Sequence, residues 1–276
     1  MYRKVYIEIT NVCNMHCSFC HGHHRAPRQM TEKEFLRVLA QLRGQTEYIY
    51  YHLLGEPLTH PLLPRFLALA REQGYRSVIT TNGTLLGRRG EEILSAGVHK
   101  VNVSLHSFEE GNEESHAQYL CEVADFALRA AERGTIVVLR LWNRGHDDGK
   151  NGAALQFLRE HLSGVWQENA RGVKILDKLF LEWGERFAWP DMDEAEREDG
   201  RFFCYGLADQ FGILADGTVV PCCLDSEGTL CLGNIFTEDV TDILYSERAC
   251  AIAEGFRRGT AAEPLCRRCG FAARFI

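Results

Sequence analysis

The sequence predicts an α/β fold on a parallel sheet, followed by a small cysteine-rich α+β region. Three observations lead there. From residue 3 to about residue 183, short β-rich runs alternate with helical patterns, as in successive βα units. Residues 184–203 then break the periodicity with Pro190 and many acids. Beyond that break lie seven of the eleven cysteines.

Six strands are expected, near 4–10, 48–54, 76–81, 100–105, 135–141 and 174–182, with helices near 31–43, 62–73, 86–97, 116–133 and 152–163. Thr31 and Glu34 have capping-box spacing and mark the start of the first helix. In the tail, Phe211–Leu214 and Thr218–Val220 read as strands of a hairpin turned by Ala215-Asp216-Gly217. The expected division is a βα region 1–183, an acidic linker 184–203 and a cysteine-rich unit 204–276.

A formal charge of -7 argues against nucleic acid as a partner. No apolar run reaches the length of a membrane span, and the first residues charge too early for a signal peptide, so a cytoplasmic protein is expected. In a reducing compartment eleven cysteines point to metal or cluster ligation rather than disulfides.

Cys13, Cys17 and Cys20 follow the first strand as C-x3-C-x2-C. Three close thiolates suit an iron–sulfur cluster with one iron left open. A zinc site completed by His16, His21, His23 or His24, or three unligated cysteines, stays open on spacing alone.

This motif, with Phe19 before its last cysteine, resembles the radical S-adenosylmethionine (SAM) superfamily. The resemblance implies a partial six-unit TIM-like barrel and a 4Fe-4S cluster whose open iron chelates SAM. It also implies reductive cleavage to a 5′-deoxyadenosyl radical that abstracts hydrogen from substrate, and an electron donor such as flavodoxin or ferredoxin. Gly55 and Glu56 match the family's segment for the methionine ammonium. Asn82 and Ser104 fall where relatives set polar groups around ribose and carboxylate. Arg140, near the end of an apolar strand, needs an anion; the cofactor carboxylate or Glu8 would supply one. His52 and His106 lie near the lumen mouth and read as satisfied core histidines. Taken singly, the Gly-Glu, Asn82 and Ser104 positions also read as loop turns or strand-end caps.

The tail, Cys204…Gly217…Cys222-Cys223 with Cys266-Arg-Arg-Cys269, resembles SPASM or twitch extensions. The resemblance implies one auxiliary 4Fe-4S cluster on Cys204, Cys222, Cys266 and Cys269, hence two clusters in all; a zinc ribbon is the alternative. Cys223 is expected to point away as a packed thiol, Cys121 and Cys250 to lie in the core, and Cys231 is spare. Arg257, Arg258, Arg267 and Arg268 either offset cluster charge or form a solvated face. Residues 191–199 read as a lid or a tether.

The function expected is oxidative radical chemistry, dehydrogenation or crosslinking, on a small molecule or short peptide. Peptide-modifying relatives often carry an extra domain ahead of the barrel, while this chain enters its first strand by about residue 4. Ribosomal-peptide maturation, a non-catalytic electron carrier or redox sensor, and a zinc-stapled binding module are the alternatives.

Overall fold

In the computed structural model, which describes residues 1–109, 111–147, 149–197 and 202–275, one curved sheet of eleven strands organises the chain. Strands β1 (Lys4–Ile7), β2 (Tyr48–Tyr51), β3 (Arg76–Thr81), β4 (Lys100–Ser104) and β5 (Ile136–Leu141) lie side by side in chain order, all parallel. Helices α1 (Glu32–Gln41), α2 (Leu63–Glu72), α3 (Leu86–Ser95) and α4 (Glu113–Glu132) return the chain between them. A further helix, α5 (Lys150–His161), follows β5. This is the mixed α/β partial barrel expected. Thr31 and Glu34 form the capping box at α1.

The alternation within strands sets the two faces. Val5, Ile7, Ile49, Ile79, Val101, Val103, Val137 and Leu139 face the helices and join the main core. Tyr6 belongs to a second, small cluster with Leu53, Leu214 and Val220, edged by Tyr50 and Cys223, on the concave side.

The sixth strand departs from expectation. Instead of one run over 174–182, the chain makes β6 (Gln167–Asn169), β7 (Gly172–Leu176) and β8 (Leu179–Trp183). β7 and β8 are antiparallel, and only β8 continues the parallel series, beside β5. Lys178 takes a φ of 64° at the reversal, a turn conformation that sequence alternation does not advertise.

The tail hairpin forms as β9 (Gln210–Ile213) and β10 (Thr218–Val220), with β11 (Gly233–Asn234) beside β10. Gly217 is required at its turn: φ is 88° and a Cβ there would lie 2.5 Å from the Phe236 ring. β9 pairs in parallel with β1, so the sheet runs without interruption from barrel into tail.

Cys250 is exposed, a correction to the core assignment. After the short α6 (Val240–Leu244), helix α7 (Glu247–Arg257) buries Ala249, Ile252 and Phe256, and Cys250 falls off that stripe. Cys121 is half-buried on α4. Among the described residues no helix is long and apolar enough to cross a membrane.

Candidate active site at the barrel mouth

The loop carrying Cys13, Cys17 and Cys20 leaves the C-terminal end of β1 and closes on itself before α1. Asn11 ties its two ends: its Nδ2 donates to the Ala26 carbonyl at 2.9 Å, and its Oδ1 accepts from the Arg28 amide at 2.7 Å. Neighbouring strand ends clamp the middle of the loop. Asn82, after β3, donates to Asn14 Oδ1 at 3.0 Å, and Asn14 donates to Thr84 at 2.9 Å. After β4, the Glu109 carboxylate accepts from the Ser18 amide (2.5 Å) and hydroxyl (2.6 Å). Cys17 Sγ lies 3.6 Å from the Ser107 carbonyl.

The three thiols lie close enough to sense one another's charge, and burial pushes Cys17 up to about 11. Burial raises Cys13 as well, offset in part by the amides of Met15 and Asn14, which point at its sulfur. Among the described residues no three His, Cys, Asp or Glu side chains are gathered tightly enough to hold a single ion. A loop-borne set of three thiols, charge-coupled and met by amides, fits a multi-iron cluster as its donor set.

Gly55 and Glu56 follow β2 and pack beneath the same loop. Gly55 has a φ of 74°, and a Cβ would fall 2.3 Å from the Thr10 carbonyl oxygen, so only glycine allows this approach. Glu56 differs from expectation. Its buried carboxylate accepts from the amides of Leu58 (3.0 Å) and Asn82 (2.7 Å), and burial raises it to about 7. It braces the loops after β2 and β3, its oxygens turned to the backbone. The Asn82 side chain is likewise committed, to Asn14 and to the amide and hydroxyl of Thr84.

Ser104 and Arg140 are register partners on β4 and β5. Glu8 is not the counter-ion of Arg140. It is fully buried and taken by Arg25, whose two nitrogens reach its oxygens at 2.8 and 2.7 Å. Arg140 Nε is instead buried without a hydrogen-bond partner, and the guanidinium lies 4.6 Å from the Trp142 ring centroid. Phe19 packs on His106, ring centroids 4.9 Å apart, with the Arg186 guanidinium 5.5 Å from its ring.

In the tail, Cys204, Cys222, Cys266 and Cys269 converge. Cys204 feels Cys269 and Cys223, Cys222 feels Cys204, Cys223 and Cys266, and Cys266 feels Cys204 and Cys269. Burial raises all four, Cys204 to about 11. Gly206 N donates to Cys204 sulfur at 3.3 Å, and the amides of Phe271 and Ala272 point at Cys269. Cys223 is hydrogen-bonded to Tyr6 and packs on the concave-side cluster, while its charge is also felt by Cys204 and Cys222.

Residues 184–197 form a strap between the two cysteine groups. Trp189 Nε1 donates to the Phe19 carbonyl (3.1 Å), and its ring stacks on His21 at 6.0 Å. Phe187 meets Phe271 at 5.0 Å, and Arg197 donates to the Cys269 carbonyl at 3.4 Å. Arg267 and Arg268 both pair with Glu196 of the strap, at 3.1 and 2.9 Å, while Arg257 and Arg258 pair with Glu254 on α7. Only part of the acidic run 191–199 lies within the described residues.

His106 is satisfied, its Nδ1 lying 3.1 Å from the Arg140 carbonyl. His52 is not: its Nδ1 is buried and unpartnered, and burial with nearby Arg140 and Lys4 lowers it to about 3. Sequence reading missed Arg25, Asn14, Glu109 and Trp189, all loop residues whose partners lie on other segments. A lone arginine inside His21-Gly-His-His-Arg25 carries no periodic signal.

Comparison with known proteins supplies the family. Residues 7–158 match the radical SAM superfamily profile, and residues 204–270 match the iron–sulfur cluster-binding domain SPASM. A probable GTP 3',8-cyclase from Pyrobaculum aerophilum is 24% identical over 89% of this chain and 92% of its own length. Other curated relatives are matched over half their length or less. The solved structure of BtrN with AdoMet and 2-DOIA superposes with a TM-score of 0.62 at 18% identity, covering 98% of this chain and 93% of that one. That of anSMEcpe with AdoMet and the Cp18Cys peptide gives 0.62 at 12% identity, covering 96% and 87%. With more than half its length matched by the profile, and with a 4Fe-4S cluster and SAM as the cofactors that profile implies, this chain belongs to the radical SAM superfamily and carries a C-terminal SPASM domain.

Proposed function

We propose that this radical SAM enzyme holds its catalytic cluster on Cys13, Cys17 and Cys20 and one auxiliary 4Fe-4S cluster on Cys204, Cys222, Cys266 and Cys269. Its substrate reaction is oxidative, on a small molecule or short peptide. The observation that carries this reading is the fixed loop at the mouth of the parallel strands: three mutually coupled thiols, clamped by Asn82 and Glu109 from the next strand ends. Barrel enzymes place their chemistry at that end of the sheet.

When bound there, the cluster and SAM together supply reductive cleavage to methionine and a 5′-deoxyadenosyl radical. The chain's own residues position and shield. Gly55 lets the loop after β2 approach Thr10 and Asn11, and Glu56 fixes that loop to the β3 end. Phe19 and Arg186 cover the cysteine loop on one side. Arg140 offers a cation to a carboxylate, with Ser104 beside it. The mutual influence of the tail thiols, with the strap touching both this group and the catalytic loop, supports an auxiliary cluster on that set.

Anaerobically reconstituted protein should bind about eight irons, four per cubane, and when reduced should slowly form 5′-deoxyadenosine and methionine from SAM without substrate. Replacing Cys13, Cys17 and Cys20 together should abolish cleavage and leave about half the iron. Stoichiometric zinc, or cleavage that survives the triple substitution, would remove the assignment.

A further inference from the structure

The concave face of the sheet gathers cations that feel Glu182, or for Lys4 Cys223 and Asp209, only at a distance. On β4, Lys100, Asn102 and Ser104 share one face; on β5 their partners Ile136, Val138 and Arg140 share it too. On β1 that face carries Lys4 and Tyr6. Lys4 Nζ lies 5.2 Å from the Tyr6 ring centroid and 5.4 Å from that of Tyr50. Arg140 acts electrostatically on both lysines, and Arg171 on Lys100. Glu182, the register partner of Arg140, is the acid felt by both Arg140 and Lys100.

Among the described residues no carboxylate lies within salt-bridge distance of Lys4, Lys100 or Arg140. Arg140 Nε, His52 Nδ1 and Asn102 Oδ1 are buried there without hydrogen-bond partners. Such polar atoms are costly to leave unmade, and three like charges repel in a medium of low dielectric. A groove of about 750 Å³, lined by Trp142, Arg171, Glu168 and Glu182 among others, opens beside Arg140, which packs on Trp142. The cations sit on the concave face of a chain whose net charge is -7.

We propose that Lys4 and Lys100 seat an anionic group of the substrate, a carboxylate or a phosphate, on the lumen face that also carries Arg140, reached through the groove beside Glu182. This rests on the reading of the chain as an enzyme acting on a substrate within the barrel. The anion restores the missing counter-charge, and His52 and Asn102 complete a polar pocket around its neighbours. Sequence alone concealed the site, because Lys4 and Lys100 stand at strand starts, where a solvated lysine is the ordinary expectation.

Cluster-loaded protein is titrated anaerobically with inorganic pyrophosphate and, separately, with succinate, by calorimetry, with and without saturating SAM. Saturable binding of either anion is expected, with SAM present or absent. Pyrophosphate alone assigns a phosphate, and succinate alone a carboxylate. Lys100→Met and Lys4→Met should each weaken binding about tenfold or more, as expected for a lost charge-assisted contact. Lys100→Arg should restore most of it, and Arg257→Met on the exposed face of α7 should change nothing. The proposal is overturned by no saturable binding of either anion, by unchanged affinity in both Met variants, or by loss of anion binding when SAM is added, which would give the cations to the cofactor. Failure of the unsubstituted protein to cleave SAM would instead sink the enzymatic reading.

Discussion

Glu8 is fully buried, and its carboxylate has four donors: two nitrogens of Arg25 and the amides of Leu54 and Ala215. It therefore joins β1, the loop after β2 and the tail hairpin turn. Arg25→Met would strand that carboxylate and should cost about 3–5 kcal/mol, read from the denaturation midpoint; adding Glu8→Gln should recover part of the loss. An unchanged midpoint would show that water reaches Glu8. Glu56 gives a pH signature. Burial raises it to about 7, against roughly 4.3 in an unfolded chain. Between those values the native state keeps a proton that the unfolded state releases. Its contribution is therefore complete below about pH 4.3 and lost as pH rises through 7, on the order of 3 kcal/mol in all. His52 and His106, lowered by burial to about 3 and about 4, act in the opposite sense across the same window. The measurement is thus the stability of wild type minus that of Glu56→Gln, which should fall between pH 4.5 and 7 and then level. A flat difference would mean an ordinary carboxyl.

At the scale of an element, the strap over 184–197 touches both cysteine groups. Its acids are not a free tether: Glu196 holds Arg267 and Arg268, and the Glu194 carbonyl accepts from Arg268 at 2.8 Å. Trp189→Ala removes the hydrogen bond to Phe19 and the stack on His21. A loss of about 1–2 kcal/mol of local stability is expected, seen as roughly tenfold faster proteolytic nicking within 184–203 while the barrel stays intact. Equal nicking rates would reduce the strap to a passive connection. The cysteine loop is an element of the same kind, dependent on a neighbour's shape. Gly55→Ala would drive a Cβ to 2.3 Å from the Thr10 carbonyl oxygen. It should lower iron content by up to about four per chain before it lowers global stability.

For the whole molecule, the decisive contact is β9 on β1. The tail covers the edge of the first barrel strand, and Phe211, Ile213, Val219, Ile252 and Phe256 share one core with the barrel. A fragment ending at residue 203 would expose both an unpaired strand edge and that apolar surface. It is expected to aggregate during size-exclusion chromatography instead of running as a folded monomer. A monomer with cooperative unfolding would establish the barrel as an independent unit. For the same reason Cys266→Ala with Cys269→Ala should loosen residues 204–276 and also reduce exchange protection in β1.

The amino-acid sequence by itself determined the order of strands and helices, the capping box at Thr31, the Gly217 turn and the spacing of both cysteine groups. Each of these is local: a period of two or 3.6, a side chain reaching its own backbone, or ligands a few residues apart. It misread the run over 174–182, where a tight reversal at Lys178 splits an apolar segment into two strands. Tertiary structure alone decided which polar groups meet. Glu8 went to Arg25 rather than Arg140, Glu56 to the amides of Leu58 and Asn82, and the cations of β1, β4 and β5 to one concave face. Those pairings depend on strand order and barrel curvature, which bring residues more than a hundred positions apart within a few ångströms, as with Glu8 and the Ala215 amide at 3.1 Å. Long-range contacts of this kind leave no periodic trace in a single sequence, because either partner alone looks like an ordinary charged residue at a strand end or in a loop.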